Sequence, residues 1–189
     1  EWAEGTGLYV ESDGFLYSRG KPDQMVQFRA DMSEMYKGYW TGIQIEGGNE
    51  HFSPSQVLYT HIASATAGLY LSDISMSEAI SYNLIEECYW GVLTCGPRQS
   101  KISNNIVQNC GSWILTEYGF EAVGAGIEAY HAGFNGAEDP NSVIEIEFNT
   151  CDNNMYGIHV HGVSSEPNAG ITFLSHNITS SSNIVQRQL

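Results

Sequence analysis

The sequence is short of positive charge. Its 189 residues include 7 lysines and arginines against 22 aspartates and glutamates, which gives a formal net charge of −15. Nucleic-acid binding draws much of its affinity from clustered cations that neutralise phosphates, so this composition argues against a nucleic-acid partner. It equally disfavours an anionic membrane surface.

Long apolar segments and metal-finger spacings are also missing. No apolar run approaches the roughly 18 residues that indicate a membrane span, so we expect no membrane insertion. The four cysteines, Cys88, Cys95, Cys110 and Cys151, form no C-x-x-C pair. This spacing argues against a structural zinc module.

A short glycine motif recurs six times along the chain. In each copy a glycine is followed by an aliphatic residue, one spacer and another small or aliphatic residue; the copies begin at Gly7, Gly42, Gly68, Gly91, Gly126 and Gly157. Self-similarity at a period of a few tens of residues is typical of stacked supersecondary units. Helical periodicity is nearly absent, and short runs rich in Ile, Val, Phe and Tyr between turn residues predict strands. The sequence therefore predicts an all-β solenoid.

Four asparagines occupy the same column when the repeats are aligned: Asn83, Asn105, Asn149 and Asn177. Stacked about 4.8 Å apart, their amides can bond to one another as a ladder. We therefore expect a parallel β-helix of about six to seven rungs, formed as one domain over residues 1–189. Cys88 and Cys110 share another column, where they can form a disulfide or pack as two small buried thiols.

Strand alternation predicts which side chains after each glycine point outward. One outward column holds Tyr9, Gln44, Tyr70, Leu93, Glu128 and His159, and the next holds Glu11, Glu46, Ser72, Cys95, Tyr130 and His161. Glu128, Tyr130, His159 and His161 should then form one patch on the last two rungs. We take these four as candidate catalytic residues.

The segments LYSRGKPDQMVQF, GYWTGIQIEGG and ISNNIVQNC resemble the right-handed parallel β-helix superfamily with the pectin-lyase-like fold. The resemblance is to its short-repeat class of secreted surface proteins and of carbohydrate-binding and sugar-hydrolysis domains, and it covers about residues 7–184. It implies a secreted or cell-surface protein whose partner is a polysaccharide lying along an outward sheet face.

The ends of the chain depart from that family. Residues 1–6 are too short for the usual helical cap, and the chain stops in a strand-like segment, IVQRQL. Solenoids generally need terminal caps, and uncapped edges invite association. We therefore expect a fragment or processed part of a longer protein, with self-association through its ends.

Three chemistries remain open for the patch. Tyrosine and histidine can act as acid and base in elimination from a uronic acid. Glu128 with Glu138 or Asp139 can form the carboxylate pair of a glycoside hydrolase. Glu128, His159 and His161 can also ligate a transition metal.

Further candidates flank the patch. We expect substrate contacts from residues that are aromatic or lie beside the patch, namely Tyr70, Trp113, Tyr118, Phe120 and His131. Glu138 and Asp139 in GAEDPN offer oxygen ligands that suit calcium. Trp40 and Trp90, each beside a glycine of the motif, are predicted to pack at rung corners.

The sequence thus favours an extracellular polysaccharide-recognising module, with lyase or glycoside hydrolase activity as a further possibility. The alternative is a non-catalytic cell-surface structural or adhesion protein that uses the β-helix as a spacer or assembly unit. Fold resemblance alone does not decide between them, because one fold hosts many functions.

Overall fold

A computed structural model describes most of the chain. It covers residues 3–30, 36–47, 55–72, 75–95, 99–117, 119–130, 143–161, 170–173, 178–179 and 186–187. Within these ranges, strands are the only regular secondary structure. The same part of the chain contains no helix with the length and hydrophobicity to cross a membrane.

The strands are short, and they follow one another throughout the chain. The first seven are β1 (Gly7–Val10), β2 (Tyr17–Arg19), β3 (Val26–Phe28), β4 (Trp40–Glu46), β5 (Gln56–Leu58), β6 (Thr60–Ala63) and β7 (Ala65–Ser72). The next seven are β8 (Ser75–Ser81), β9 (Leu84–Glu86), β10 (Trp90–Cys95), β11 (Gln99–Ser103), β12 (Ile106–Gln108), β13 (Ser112–Thr116) and β14 (Gly119–Val123). The last seven are β15 (Ile127–Tyr130), β16 (Val143–Glu147), β17 (Thr150–Asp152), β18 (Ile158–His161), β19 (Gly170–Phe173), β20 (Ile178–Thr179) and β21 (Gln186–Arg187).

Most of the strands form three parallel sheets. Sheet I has the order β1-β4-β7-β10-β15-β18-β21, sheet II β19-β16-β11-β8-β5-β2, and sheet III β20-β17-β12-β9-β6-β3. Each pass of the chain, which we call a rung, adds one strand to each sheet in turn. This arrangement is compatible with the predicted parallel β-helix. The exception is β13–β14, an antiparallel hairpin inserted between sheets III and I.

The core lies between the three sheets. Its side chains include Ile43, Leu69, Val92 and Ile127 from sheet I, all fully buried, as the alternation predicts. These aliphatic side chains from successive rungs form one continuous cluster, and burial of their apolar surface favours folding.

The recurring glycines are required by close approach between rungs. A Cβ placed on Gly68 would lie 2.7 Å from the carbonyl oxygen of Gly91, and one on Gly91 would lie 2.4 Å from that of Gly126. Gly42 also has a φ of +112°, and its Cβ would lie 1.6 Å from the Ala67 carbonyl oxygen. No side chain fits at these positions, which explains the motif.

The predicted asparagine ladder is present in the described residues. The Oδ1 of Asn105 accepts bonds from the backbone N–H and the Nδ2 of Asn83, each at 3.0 Å. The Nδ2 of Asn105 in turn donates to the Oδ1 of Asn149 at 3.0 Å and to the Ile80 carbonyl at 3.1 Å. The three asparagines are at most 2% exposed. The ladder therefore satisfies buried polar groups between rungs.

Two further sequence expectations bear on these columns. The ladder begins at Thr60, whose N–H donates to Asn83 at 2.9 Å, while Asn177 lies outside the described residues. All four cysteines are free thiols, so Cys88 and Cys110 are not joined by a disulfide. These two thiols are buried and lie next to each other. Burial, followed by the Cys110 contact, raises the pKa of Cys88 well above its usual value.

Replacing Asn105 should destabilise the fold strongly. Asn105→Ala leaves the buried N–H of Asn83 and the carbonyl of Ile80 without these partners. We expect the free energy of unfolding, measured by urea denaturation, to fall by about 3 kcal/mol.

The control is Gln108→Ala in the same rung. Its amide makes a single part-buried bond to Glu86, so its loss should cost only about 1 kcal/mol. Equal losses in the two variants would contradict a special role for the ladder.

Candidate functional site

The register of sheet I makes residues of the predicted columns lateral neighbours on adjacent strands. Leu93 pairs with Glu128, and Glu128 pairs with His159. Cys95 pairs with Tyr130 in the adjacent column, and the backbone of His161 lies opposite Tyr130. Adjacent rungs therefore bring Glu128, Tyr130 and His159 together on one face.

A hydrogen-bonded cluster surrounds the Glu128 carboxylate. The indole N–H of Trp90 donates to Oε2 at 2.5 Å, and the Tyr130 hydroxyl donates to Oε1 at 2.9 Å. The Nδ1 of His159 lies 3.6 Å from Oε1. We call Trp90, Glu128, Tyr130 and His159 the Glu128 cluster.

The cluster is more enclosed than the sequence suggests. Alternation on a solvated face predicts exposed side chains, yet Glu128 is 6% and His159 9% exposed. The Trp90 indole N–H and the Tyr130 hydroxyl contact the carboxylate, and the Tyr156 ring centroid is 5.0 Å from that of His159. A buried carboxylate is costly unless it is hydrogen-bonded, and the two donors provide those bonds.

Tyr130 is held in its neutral form. Burial, followed by the hydrogen bond to Glu128, raises the pKa of its hydroxyl far above the usual value. A phenol with a raised pKa donates a hydrogen bond but does not serve as a base near neutral pH. Glu128 and His159 are then the groups of the cluster with basic atoms, and the Nε2 of His159 is buried.

Trp90 makes a contact that the sequence analysis did not predict. Trp40 is fully buried and donates to the Ala63 carbonyl, as expected of a corner residue. Trp90 is half-buried and reaches across to Glu128 on the next rung. A tryptophan beside a glycine gives the same sequence signal in both cases, so only the structure separates them.

An apolar pocket of about 300 Å³ adjoins the cluster on the same face. Its lining includes Ile43, Tyr70, Trp90 and Leu93. Burial, and then the nearby Cys95, raise the pKa of Tyr70 to about 12, so this hydroxyl too stays protonated. Tyr70, a predicted substrate contact, therefore lies in a pocket that shares Trp90 with the Glu128 cluster.

The β13–β14 hairpin carries two of the predicted aromatic contacts. Trp113 pairs with Ala122 and Leu115 with Phe120, which places all four on one hairpin face. Trp113 is 60% exposed, and Leu115 and Phe120 are each 72% exposed. The hairpin thus presents an apolar surface to solvent.

The base of the hairpin is fixed near Trp90. The Lys37 ammonium donates to the Gly111 carbonyl at 2.6 Å. At the other end, Gly124 approaches so closely that a Cβ would lie 1.8 Å from the Tyr89 carbonyl oxygen. The hairpin therefore leaves the body of the protein beside the residue that precedes Trp90.

Several predicted site residues lie outside the described part of the chain. They are Tyr118, His131, Glu138, Asp139 and the side chain of His161. Among the described residues, no three His, Cys, Asp or Glu side chains converge as a metal site would require. The calcium and carboxylate-pair hypotheses therefore remain predictions.

Comparisons with known proteins give no relative for this chain. No protein-family model, curated protein or solved structure matches it.

Replacing Tyr130 should change the alkaline stability of the protein. Because its pKa is raised above the ordinary value of 10.0, the unfolded state ionises first as pH rises. The stabilising contribution is fully present below about pH 10 and is lost as pH rises towards the folded-state pKa. In Tyr130→Phe, the fall in unfolding free energy between about pH 10 and 11.5 should be shallower, by up to about 1 kcal/mol per pH unit.

The measurement is urea denaturation at a series of alkaline pH values. Tyr17→Phe, which removes the hydroxyl of an exposed tyrosine in sheet II, is the control. An unchanged slope in Tyr130→Phe would show that this hydroxyl is not held protonated by folding.

Proposed function

We propose that this chain is an extracellular, right-handed parallel β-helix of about six to seven rungs that binds a polysaccharide along the outward face of sheet I. The observation that carries the proposal is the Glu128 cluster beside an apolar pocket, with Trp90 belonging to both. Its occupant would lie across Tyr70 and Trp90 and reach the polar cluster at one end.

The chemistry of the face suits a sugar. Sugar rings present apolar C–H faces and polar rims, so they bind where aromatic faces adjoin a few oriented hydrogen-bonding groups. Tyr70 and Trp90 supply the aromatic surface, and Tyr130 supplies a polar group fixed by Glu128. The exposed Trp113 and Phe120 on the hairpin extend the aromatic surface beyond the sheet.

The charge of the chain narrows the substrate class. A net charge of −15 repels anionic polymers over the range set by screening. We therefore favour a neutral polysaccharide, and expect an acidic one to bind only when calcium mediates, with Glu138 and Asp139 as the proposed ligands.

Cleavage is a narrower hypothesis than binding. Elimination would use His159 as the base and the protonated Tyr130 as the donor to the leaving group or the developing negative charge. Hydrolysis needs a second carboxylate about 5–10 Å from Glu128, which here would come from Glu138 or Asp139. Binding requires neither step, and the Glu128 cluster supports it directly.

The exposed hairpin favours a second candidate function. An apolar surface formed by Trp113, Leu115 and Phe120 also suits contact with another protein or a second copy of this chain. In that case the β-helix serves as a non-catalytic surface or adhesion unit.

The proposed function is tested with a polysaccharide panel. We would measure binding and product release on neutral polymers (β-glucan, xylan, galactomannan) and acidic ones (polygalacturonate, alginate), with and without calcium. Trp90→Ala should weaken binding of the neutral ligand about tenfold, because it removes the shared aromatic face. His159→Ala should abolish product release if there is any.

Phe15→Ala is the matched control, since it removes an exposed aromatic side chain from the connection after β1. Equal binding by wild type and Trp90→Ala would rule out the sheet I site. Absence of binding, combined with concentration-dependent association that Leu115→Asp abolishes, would support the assembly function instead.

A further inference from the structure

A column of mostly aromatic residues lies along the turn between sheets II and III. Each residue immediately precedes a member of the ladder column headed by Thr60; the column consists of Tyr59, Tyr82, Asn104 and Phe148. This column lies on a different part of the molecule from the Glu128 cluster, which belongs to sheet I.

The first two rings of the column stack on one another. The centroids of Tyr59 and Tyr82 are 5.0 Å apart, with 9° between the ring planes. Rings on adjacent rungs of this column therefore lie within stacking distance of each other. Asn104 interrupts the series, and Phe148 resumes it one rung later.

A pocket of about 490 Å³ opens at this interruption. Its walls include Tyr82 and Phe148, each 48% exposed, and Asn104 lies between them. Two rungs separate the aromatic walls, a distance of about 9.6 Å at the usual strand spacing. A ring placed midway would meet each wall at about the separation that Tyr59 and Tyr82 already show.

The base of the pocket is polar. Lys101 forms an ion pair with Glu147, and its ammonium is 3.7 Å from a carboxylate oxygen of Glu145. Ser103, bonded to Ser81 at 3.0 Å, lies beside them. Of the residues that line the pocket, Lys101 and Glu147 are charged, and their opposite charges cancel, which favours an uncharged ligand.

The aromatic wall residues have a left-handed backbone, with a φ of 59° at Tyr82 and 54° at Phe148. Bulky residues are uncommon in this region, where asparagine is favoured. The other turn column has the same conformation at Ser64, Glu87, Asn109 and Asn153, so a left-handed residue is a general feature of these turns. The bulky rings are what distinguish the column that holds the pocket.

We propose that this pocket binds one uncharged pyranose ring of a glycan, stacked between Tyr82 and Phe148. Asn104, Lys101 and Glu147 supply donors and acceptors for the ring hydroxyls. The ligand completes the interrupted aromatic column. The inference is independent of the sheet I site, although both sites take the same class of ligand.

The decisive variant fills the pocket and leaves its walls in place. Asn104→Tyr puts a ring in the gap, at a φ of 56° that Tyr59 and Tyr82 also accept nearby. We would titrate neutral hexasaccharides of β-glucan, xylan and mannan into the full chain by calorimetry. Asn104→Tyr should weaken binding at this pocket at least about tenfold, and its Tm should stay close to that of the wild type because stacking of the added ring offsets the strain of a left-handed tyrosine.

Asn109→Tyr is the matched control, because it makes the same change at a φ of 55° in the other turn column. It should bind the hexasaccharides like wild type. Trp90→Ala separates the two sites: if both proposals hold, wild type has two sites and each of Asn104→Tyr and Trp90→Ala loses one.

Loss confined to Asn104→Tyr would support the pocket and count against the sheet I site. Wild-type binding by Asn104→Tyr, or an equal loss in Asn109→Tyr, would overturn the inference, as would failure of the wild type to bind any neutral hexasaccharide. Equally tight binding of hexagalacturonate at this pocket would overturn the assignment of an uncharged ring.

Discussion

Register between rungs is the constraint on which every surface of this protein depends, and the buried asparagine amides hold it. The side-chain oxygens of Asn105 and Asn149 each accept two bonds from the rung before, one from a backbone N–H and one from a side chain, and that of Asn83 accepts the Thr60 N–H. These amides are satisfied only when the rungs align. A slip of one residue would turn the core-facing side chains of a strand outward. The column of motif glycines also constrains the register, because the carbonyl of the next rung leaves no space for a Cβ. Together they fix which residues become lateral neighbours.

Fixed register produces two kinds of outward column with different costs. On sheet I the columns lie on strands, which accept side chains of any size. The free-energy cost there is the burial of the Glu128 carboxylate beside Trp90 and Tyr130. On the turn between sheets II and III the backbone is left-handed, so each aromatic residue there costs roughly 1–3 kcal/mol of strain. That strain persists because the next residue is a ladder member held by several buried bonds. The ladder therefore supports the aromatic turn column as well as the sheets.

The sequence predicted which residues share a column, but it did not predict the contacts between their side chains, and the reason is physical. Glycine spacing and strand alternation depend on the backbone alone, and they placed Glu128 beside His159 and Tyr130 opposite His161 correctly. The reach of a long side chain across rungs has no periodic signature, so the bond from Trp90 to Glu128 and the enclosure of His159 were not predicted. His61 illustrates the same limit, because its bonds to Gln27 and Glu86 join three rungs of sheet III and are invisible in any one repeat. The pairing of the β13–β14 hairpin was not predicted either, since it interrupts the repeat.

The enclosure of Glu128 also bears on what the sheet I face can do. A carboxylate that already accepts bonds from an indole and a phenol is poorly placed to act as a nucleophile or a general acid, since both roles require it to exchange those partners for substrate. The Glu128 carboxylate is instead well placed to fix the positions of the side chains that bond to it. Ordering of polar side chains is a large part of the cost of binding a ligand, and side chains fixed before the ligand arrives avoid most of it. The buried cluster therefore makes more physical sense as the support of a recognition surface, with Trp90 and Tyr70 as the contact, than as a catalytic centre built around Glu128.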